Sequence, residues 1–178
     1  NLIILSPSDP REAEEATKWA LKHKGPVYIR LGKAGEPTLS KTSKFKLGKG
    51  SILREGDKVT ILSTGNITGM ALEVADKLGK RGVSVKVVSM HTIKPIDTDL
   101  ILACAKQTKS IFTLEEHSII GGIGSGVAEV LAENKIDVYF KRIGIPDHFT
   151  KKVGRQEFMR KANGLSVDTI IKVILEST

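Results

Sequence analysis

The sequence is poor in the residues that carry most recognisable chemistry. One cysteine, Cys104, stands among 178 residues, which excludes a disulfide framework and any cysteine-rich metal site within one chain. Aromatic residues make up 4%, too few to build the ring platforms on which nucleic-acid bases stack. No apolar run is long enough to span a bilayer, and the start lacks the basic-then-apolar pattern of a secretory signal. His23, His91, His117 and His148 never stand four residues apart, and no H-E-x-x-H occurs, so a metal site is not expected. Ser6, Ser63, Ser89 and Ser125 lie outside any G-x-S-x-G elbow, which leaves a hydrolase triad without support. The first residue is not methionine, and Leu2-Ile3-Ile4-Leu5 already reads as a strand. The expectation is a piece of something longer.

What is present begins with charge. The balance of 28 Lys+Arg against 20 Asp+Glu leaves +8, which raises a nucleic-acid hypothesis. The distribution argues against it. Lys41, Lys44, Lys46 and Lys49 sit in a Ser/Thr/Gly-rich stretch, and Lys141, Arg142, Lys151, Lys152 and Arg155 follow near the end. Such runs read as solvated surface. Hydrophobic residues at 40% suffice for a packed core.

The pattern divides the chain. Asp9 and Pro10 are suited to start a helix, with Glu12, Glu14 and Glu15 at its positive end and Ala13, Ala16 and Ala20 on one narrow face. Gly25-Pro26 stops that helix, and Val27 to Leu31 reads as the next strand. Residues 1–31 are thus a βαβ unit with a parallel pair. Gly32 to Gly50 has little apolar periodicity and reads as a linker. Beyond it, Ser51–Arg54 and Val59–Ser63 read as strands joined antiparallel through a tight Gly56-Asp57 turn. A helix over 66–81, capped by Asn66, carries Ile67, Met70, Ala71, Val74, Ala75 and Leu78 on one face. The strand 83–88, a helix from Asp97 with Leu100, Ile101, Cys104 and Ala105 inward, and the strand 110–115 follow. A helix opened by Gly121–Gly126, the strand 138–143 and helices near 154–162 and 167–176 complete the pattern, the last with Val167, Ile170, Ile171, Ile174 and Leu175 on its apolar face. Strands alternating with helices of this length require a mostly parallel sheet covered on both faces. The second unit is expected to be self-sufficient, the first a loosely attached fragment.

Few residues stand out chemically. Gly121-Gly122-Ile123-Gly124-Ser125-Gly126 lies where a phosphate loop would sit, but G-x-G-x-x-G counted from Gly122 puts Val127 at its third glycine. A close approach of backbones at a domain or subunit contact is the alternative. Glu115-Glu116-His117 ends a strand where open α/β sheets place functional groups, which makes His117 a candidate for catalysis or, the reading preferred, for a hydrogen-bonded place at a domain interface. Cys104 faces inward and is expected to be inert. Arg30 ends a parallel strand before a glycine turn, where its guanidinium could fork onto a phosphate or carboxylate, or form an interdomain salt bridge.

Together these segments resemble the C-terminal part of the transketolase-like thiamine diphosphate enzymes. The matching text is Pro26–Gly32, Leu53–Ile61, Met90–Asp97, Glu115-Glu116-His117 with the glycine run, and Gly144–Phe149. Deoxyxylulose-phosphate synthase and the β subunits of 2-oxoacid dehydrogenases share the architecture. The resemblance implies a three-layer α/β/α C-terminal domain over residues 50–178, with a mostly parallel sheet and one antiparallel strand. Residues 1–35 become the βαβ remnant of a pyrimidine-binding domain, and 36–49 a linker. It implies a substrate-phosphate role for Arg30, which counts against the dehydrogenase version, whose acyl substrate carries no phosphate. Catalytic residues are expected outside this chain. The family's Gly-Asp-Gly motif is missing, since Lys58 follows Gly56-Asp57, so thiamine diphosphate and Mg²⁺ belong to the parent enzyme. That parent moves two-carbon ketol units between sugar phosphates in the cytoplasm. Its partners are the pyrophosphate- and pyrimidine-binding domains or a separate N-terminal subunit, in a homodimer, with His117, Gly121, Gly122 and Gly124 at an interface and no nucleic acid or membrane. The chain alone is expected to be inactive and to serve assembly and substrate closure. A stand-alone nucleotide- or anion-binding module at the glycine run remains the competing expectation.

Overall fold

The computed structural model describes residues 1–33, 35–39 and 45–177. Lys41 and Lys44 lie outside them, with the middle of the expected linker.

Five strands form the main sheet: β3 (Ser51–Arg54), β4 (Val59–Thr64), β5 (Val85–Ser89), β7 (Ser110–Ser118) and β8 (Tyr139–Ile145), in the order β3-β5-β4-β7-β8. All neighbours run parallel except the β3–β5 pair. β4 and β5 are buried at every position, as central parallel strands covered on both faces must be. One face is covered by α2 (Thr68–Gly79) and α6 (Val167–Leu175), which put Ala71, Val74, Leu78, Ile170 and Ile174 on Val59, Ile61 and Phe112. The other is covered by α3 (Thr98–Gln107) and α4 (Ile123–Glu133), with Ile101, Cys104, Val127 and Leu131 on Leu62 and Val88. The three-layer arrangement follows from these alternating patterns. A shorter helix, α5 (Gln156–Ala162), precedes α6. No helix among the described residues is long and apolar enough to cross a membrane.

Three local expectations need correction. β3 and β4 are not a hairpin: β5 lies between them. The connecting turn crosses the start of β5, and a Cβ on Gly56 would fall 2.3 Å from the Lys86 nitrogen, so glycine serves a backbone crossing there. Asn66 does not cap α2. It sits in the 3-10 turn Gly65–Ile67, and its side chain is used elsewhere. Leu175 is 40% exposed, because at helical spacing it falls at the edge of the face buried by Ile170, Ile171 and Ile174.

The leading unit follows its pattern: β1 (Ile3–Leu5), α1 (Pro10–Ala20) and β2 (Val27–Ile29), with β1 and β2 parallel. Asp9 caps α1, its Oδ1 accepting the Glu12 N–H at 2.8 Å, with Pro10 opening the first turn. The unit is not loosely attached. A three-residue strand unforeseen in the sequence, β6 (Thr92–Lys94), pairs antiparallel with β1. The leading β1–β2 pair thus gains a third strand from beyond the linker. Ser6 reinforces the junction, its N–H donating to the His91 carbonyl (2.8 Å) and its carbonyl accepting the Gly65 N–H (3.1 Å). The segments flanking the undescribed stretch are pinned as well, by Leu39 N–H on Asp9 (2.8 Å) and Gly50 N–H on Asp97 (2.9 Å).

Candidate functional site

The carboxyl ends of β1, β2, β4 and β7 meet at the junction of the two sheets, which is where α/β folds leave a crevice. Ser6 follows β1, Arg30 follows β2, Thr64 ends β4, and Glu115 to His117 lie near the end of β7. The Arg30 N–H donates to the Leu5 carbonyl at 2.8 Å, which fixes the backbone of the residue outside the ladder. Its Nη2 donates to the Glu116 carbonyl at 2.7 Å. Arg30 has no ion pair among the described residues, so its remaining donors face two adjoining clefts. The smaller, about 150 Å³, is polar, with Lys33, Asn66, Glu116 and Gln156 around Arg30. The larger, about 430 Å³, sets Ile4, Tyr28, Ile93 and Ile123 against Thr64 and His117.

A second arginine, missed in the sequence, organises the smaller cleft. Arg160 of α5 donates from Nε (3.0 Å) and Nη2 (2.5 Å) to Glu116, and from Nη2 to Asn66 Oδ1 (2.9 Å). Gln156 adds contacts of 3.1 Å to both Glu116 oxygens, and Asn66 Nδ2 donates to Glu36 at 3.2 Å. The Glu116 carboxylate is therefore fully engaged, and it leaves Arg30 only its carbonyl. The one sequence signal for this network was the adjacent Glu115-Glu116 pair. Gln156 and Arg160 lie in a short exposed helix with no periodicity to mark them.

The glycine run proves to serve an internal anion. Glu115 is buried, and its oxygens accept the N–H groups of Ile123 (2.9 Å) and Gly124 (3.0 Å) at the start of α4. Burial pushes this carboxyl above the usual range, and those two N–H groups, His117 and Arg142 pull it back. A Cβ on Gly122 would fall 2.0 Å from Glu115 Oε2. The helix N-terminus that could hold a phosphate thus already carries a carboxylate. Gly121 and Gly122 line the larger cleft with His117, which is exposed and pairs through Nδ1 with the Ser118 carbonyl at 3.1 Å. Gly124 is buried beneath them, against Thr113 and Arg142. Cys104 is buried, and its thiol is raised chiefly by that burial. No group of three His, Cys, Asp or Glu among the described residues could hold a metal ion.

Against known proteins, residues 48–170 match the family model of the transketolase C-terminal domain. The 6-deoxy-6-sulfo-D-fructose transketolase subunit SqwH of Clostridium sp. (strain MSTE9) is 38% identical over 178 residues, covering 99% of this chain and 55% of its own. The 1-deoxy-D-xylulose-5-phosphate synthase of Heliobacterium modesticaldum is 33% identical over 98% of this chain and 27% of its own. A solved structure described as a split gene transketolase, inactive beta4 tetramer, superposes with a TM-score of 0.92 at 36% identity, over 99% of this chain and 58% of that one. The chain thus spans little more than half of the transketolase subunit it matches.

Proposed function

This chain belongs to the transketolase C-terminal domain family, and on that premise we propose that it is the rear portion of an enzyme transferring two-carbon ketol units between sugar phosphates. In this reading it closes the substrate channel and completes the assembly, and the bond chemistry is done elsewhere. The observation that carries it is Arg30. Its guanidinium stands at the crevice end of a parallel strand, anchored by one donor and with the rest facing the clefts. That fork suits a terminal tetrahedral oxyanion, a phosphate or the sulfo group of the sugar for which the Clostridium relative is named. The parent's thiamine diphosphate and Mg²⁺ do not fit the residues described: no metal-ligand cluster is present and the glycine-rich helix start is spent on Glu115. On this reading the cofactor is held by pyrophosphate- and pyrimidine-binding domains outside this chain, fused to it or on a separate N-terminal subunit. We extend the proposal to a cytoplasmic homodimeric assembly. Its subunit contact would include His117, Gly121 and Gly122, continuous with a groove of about 480 Å³ along Ile4, Ile93, Ile96 and Ile123.

The test uses the assembled enzyme. A charge-assisted hydrogen bond contributes about 1.5–3 kcal/mol, so Arg30→Ala should raise the KM for a phosphorylated or sulfonated donor about ten-fold or more. The KM for a neutral ketose donor should stay within about two-fold. Equal effects on both would remove the assignment. The synthase relative favours a second reading, a piece of a deoxyxylulose-phosphate synthase; use of pyruvate as donor with CO₂ release would select it.

A further inference from the structure

Glu12 and His91 are both buried at the junction between the leading βαβ unit and the five-stranded sheet, at 3% and 1% exposure. Neither belongs to the crevice. Glu12 Oε2 accepts from Ser8 N (2.8 Å), Ser8 Oγ (2.7 Å) and Ser89 Oγ (2.9 Å), so one carboxylate oxygen ties α1 to the end of β5. Two residues on, His91 receives Ser6 through its carbonyl. Its ring meets Phe45 at 4.8 Å, and Phe45 meets Trp19 of α1 at 6.4 Å. His91 therefore meets the leading unit through its backbone carbonyl and the segment before β3 through its ring.

Thr92 Oγ1 accepts the Gly48 N–H (3.3 Å) and shares a hydrogen bond of 3.1 Å with His91 Nδ1. Nε2 has no partner among the described residues, and neither does Glu12 Oε1. Among the described residues the ring's hydrogen-bond partner is the neutral Thr92 hydroxyl, so an imidazolium would be buried with no carboxylate bonded to it. The charged groups around the ring are Glu12 from α1, Asp97 from the start of α3, and Lys49, which sits on Asp97 at 3.1 Å.

We propose that Glu12 and His91 form a buried, acid-sensitive latch that fastens the leading unit to the five-stranded sheet. Burial, outweighing Glu12 and Asp97, holds the imidazole below its ordinary value. The undocked imidazole, with the ordinary value of about 6.5, binds more protons than the docked one, so docking weakens as pH falls below about 6.5.

Amide hydrogen exchange on the full chain tests this, read at Ser6 and Gly65, whose N–H bonds cross the junction, and corrected for intrinsic exchange. An exposed imidazole goes from about 10% to about 90% charged between pH 7.5 and pH 5.5, so local opening should rise over that interval, by at most about ten-fold. In His91→Gln the pH dependence should vanish, whatever the variant's absolute stability. An unchanged pH dependence in the variant would overturn the latch. So would an imidazole titration of the wild type, followed by NMR, with a midpoint at or above about 6.5; a lower midpoint supports it.

Discussion

Two adjacent glycines, replaced one at a time by alanine, separate backbone conformation from side-chain space. Gly121 has φ +73°, and a Cβ there would meet nothing within 4 Å. Gly121→Ala therefore carries only the left-handed backbone cost of about 1–2 kcal/mol. Gly122 has φ −83°, which any residue adopts, but its Cβ would fall 2.0 Å from Glu115 Oε2 and 2.7 Å from the Ser118 carbonyl oxygen. Something must move. Overpacking costs about 1–3 kcal/mol. If the carboxylate gives way, the charge-assisted bonds from Ile123 and Gly124 are strained or lost, at about 1.5–3 kcal/mol each. With both bonds lost the sum is about 4 kcal/mol or more, so Gly122→Ala should cost at least twice what Gly121→Ala costs. Urea denaturation of both variants, followed by circular dichroism, gives the comparison. A cycle with Glu115→Ala sharpens it, because removing the carboxylate should relieve most of the Gly122→Ala cost and leave the Ser118 contact. Gly122→Ala within about 0.5 kcal/mol of wild type, the range of an ordinary surface change, would refute the carboxylate-capped account of the glycine run. So would additive single costs in the double variant.

Glu115 also predicts a pH dependence of the opposite sign to that of His91. Its folded carboxyl is raised, so the native state binds more protons than the unfolded one. The stability of wild type relative to Glu115→Gln should fall as pH rises from the unfolded value of about 4.3 through the native one, then level off. A relative stability that climbs over that range would contradict the burial cause. Cys104 should resist a water-soluble thiol reagent at pH 7 in the folded chain and react at once in denaturant, because burial removes both access and thiolate. Native-state labelling at the rate of a free thiol would show the α3 interface to be open.

Periodicity reached what periodicity encodes. The apolar faces of α2, α3 and α4 and the fully buried β4 and β5 were readable because parallel strands and covering helices repeat their signals over many residues. The capped start of α1 was readable because Asp9 and Pro10 act within one turn. β6 was not, since three residues beside Pro95 carry no repeat and pair with a strand some ninety positions earlier. The wrong pairing of β3 has the same root. A short loop between two strands suggests a hairpin, and only the backbone crossing at Gly56 shows that β5 intervenes.

The site divides the same way. Arg30 and the Glu115-Glu116-His117 run could be singled out because strand ends are where α/β folds place ligands. Asn66, Gln156 and Arg160 could not, since their roles exist only once α5 lies across the crevice and delivers two donors to Glu116. Glu12 left a trace that was read too simply. Its spacing from Asp9 is that of a capping box, and an acidic first turn is ordinarily solvated. Here the carboxylate reaches back to Ser8 and across to Ser89. A helix-start signal thereby became the seam between two sheets. The same seam fixes the crevice, because Arg30 arrives with the leading unit while Glu116, Asn66 and Arg160 arrive with the other, and a change that loosens Glu12 must also move Arg30 relative to its neighbours.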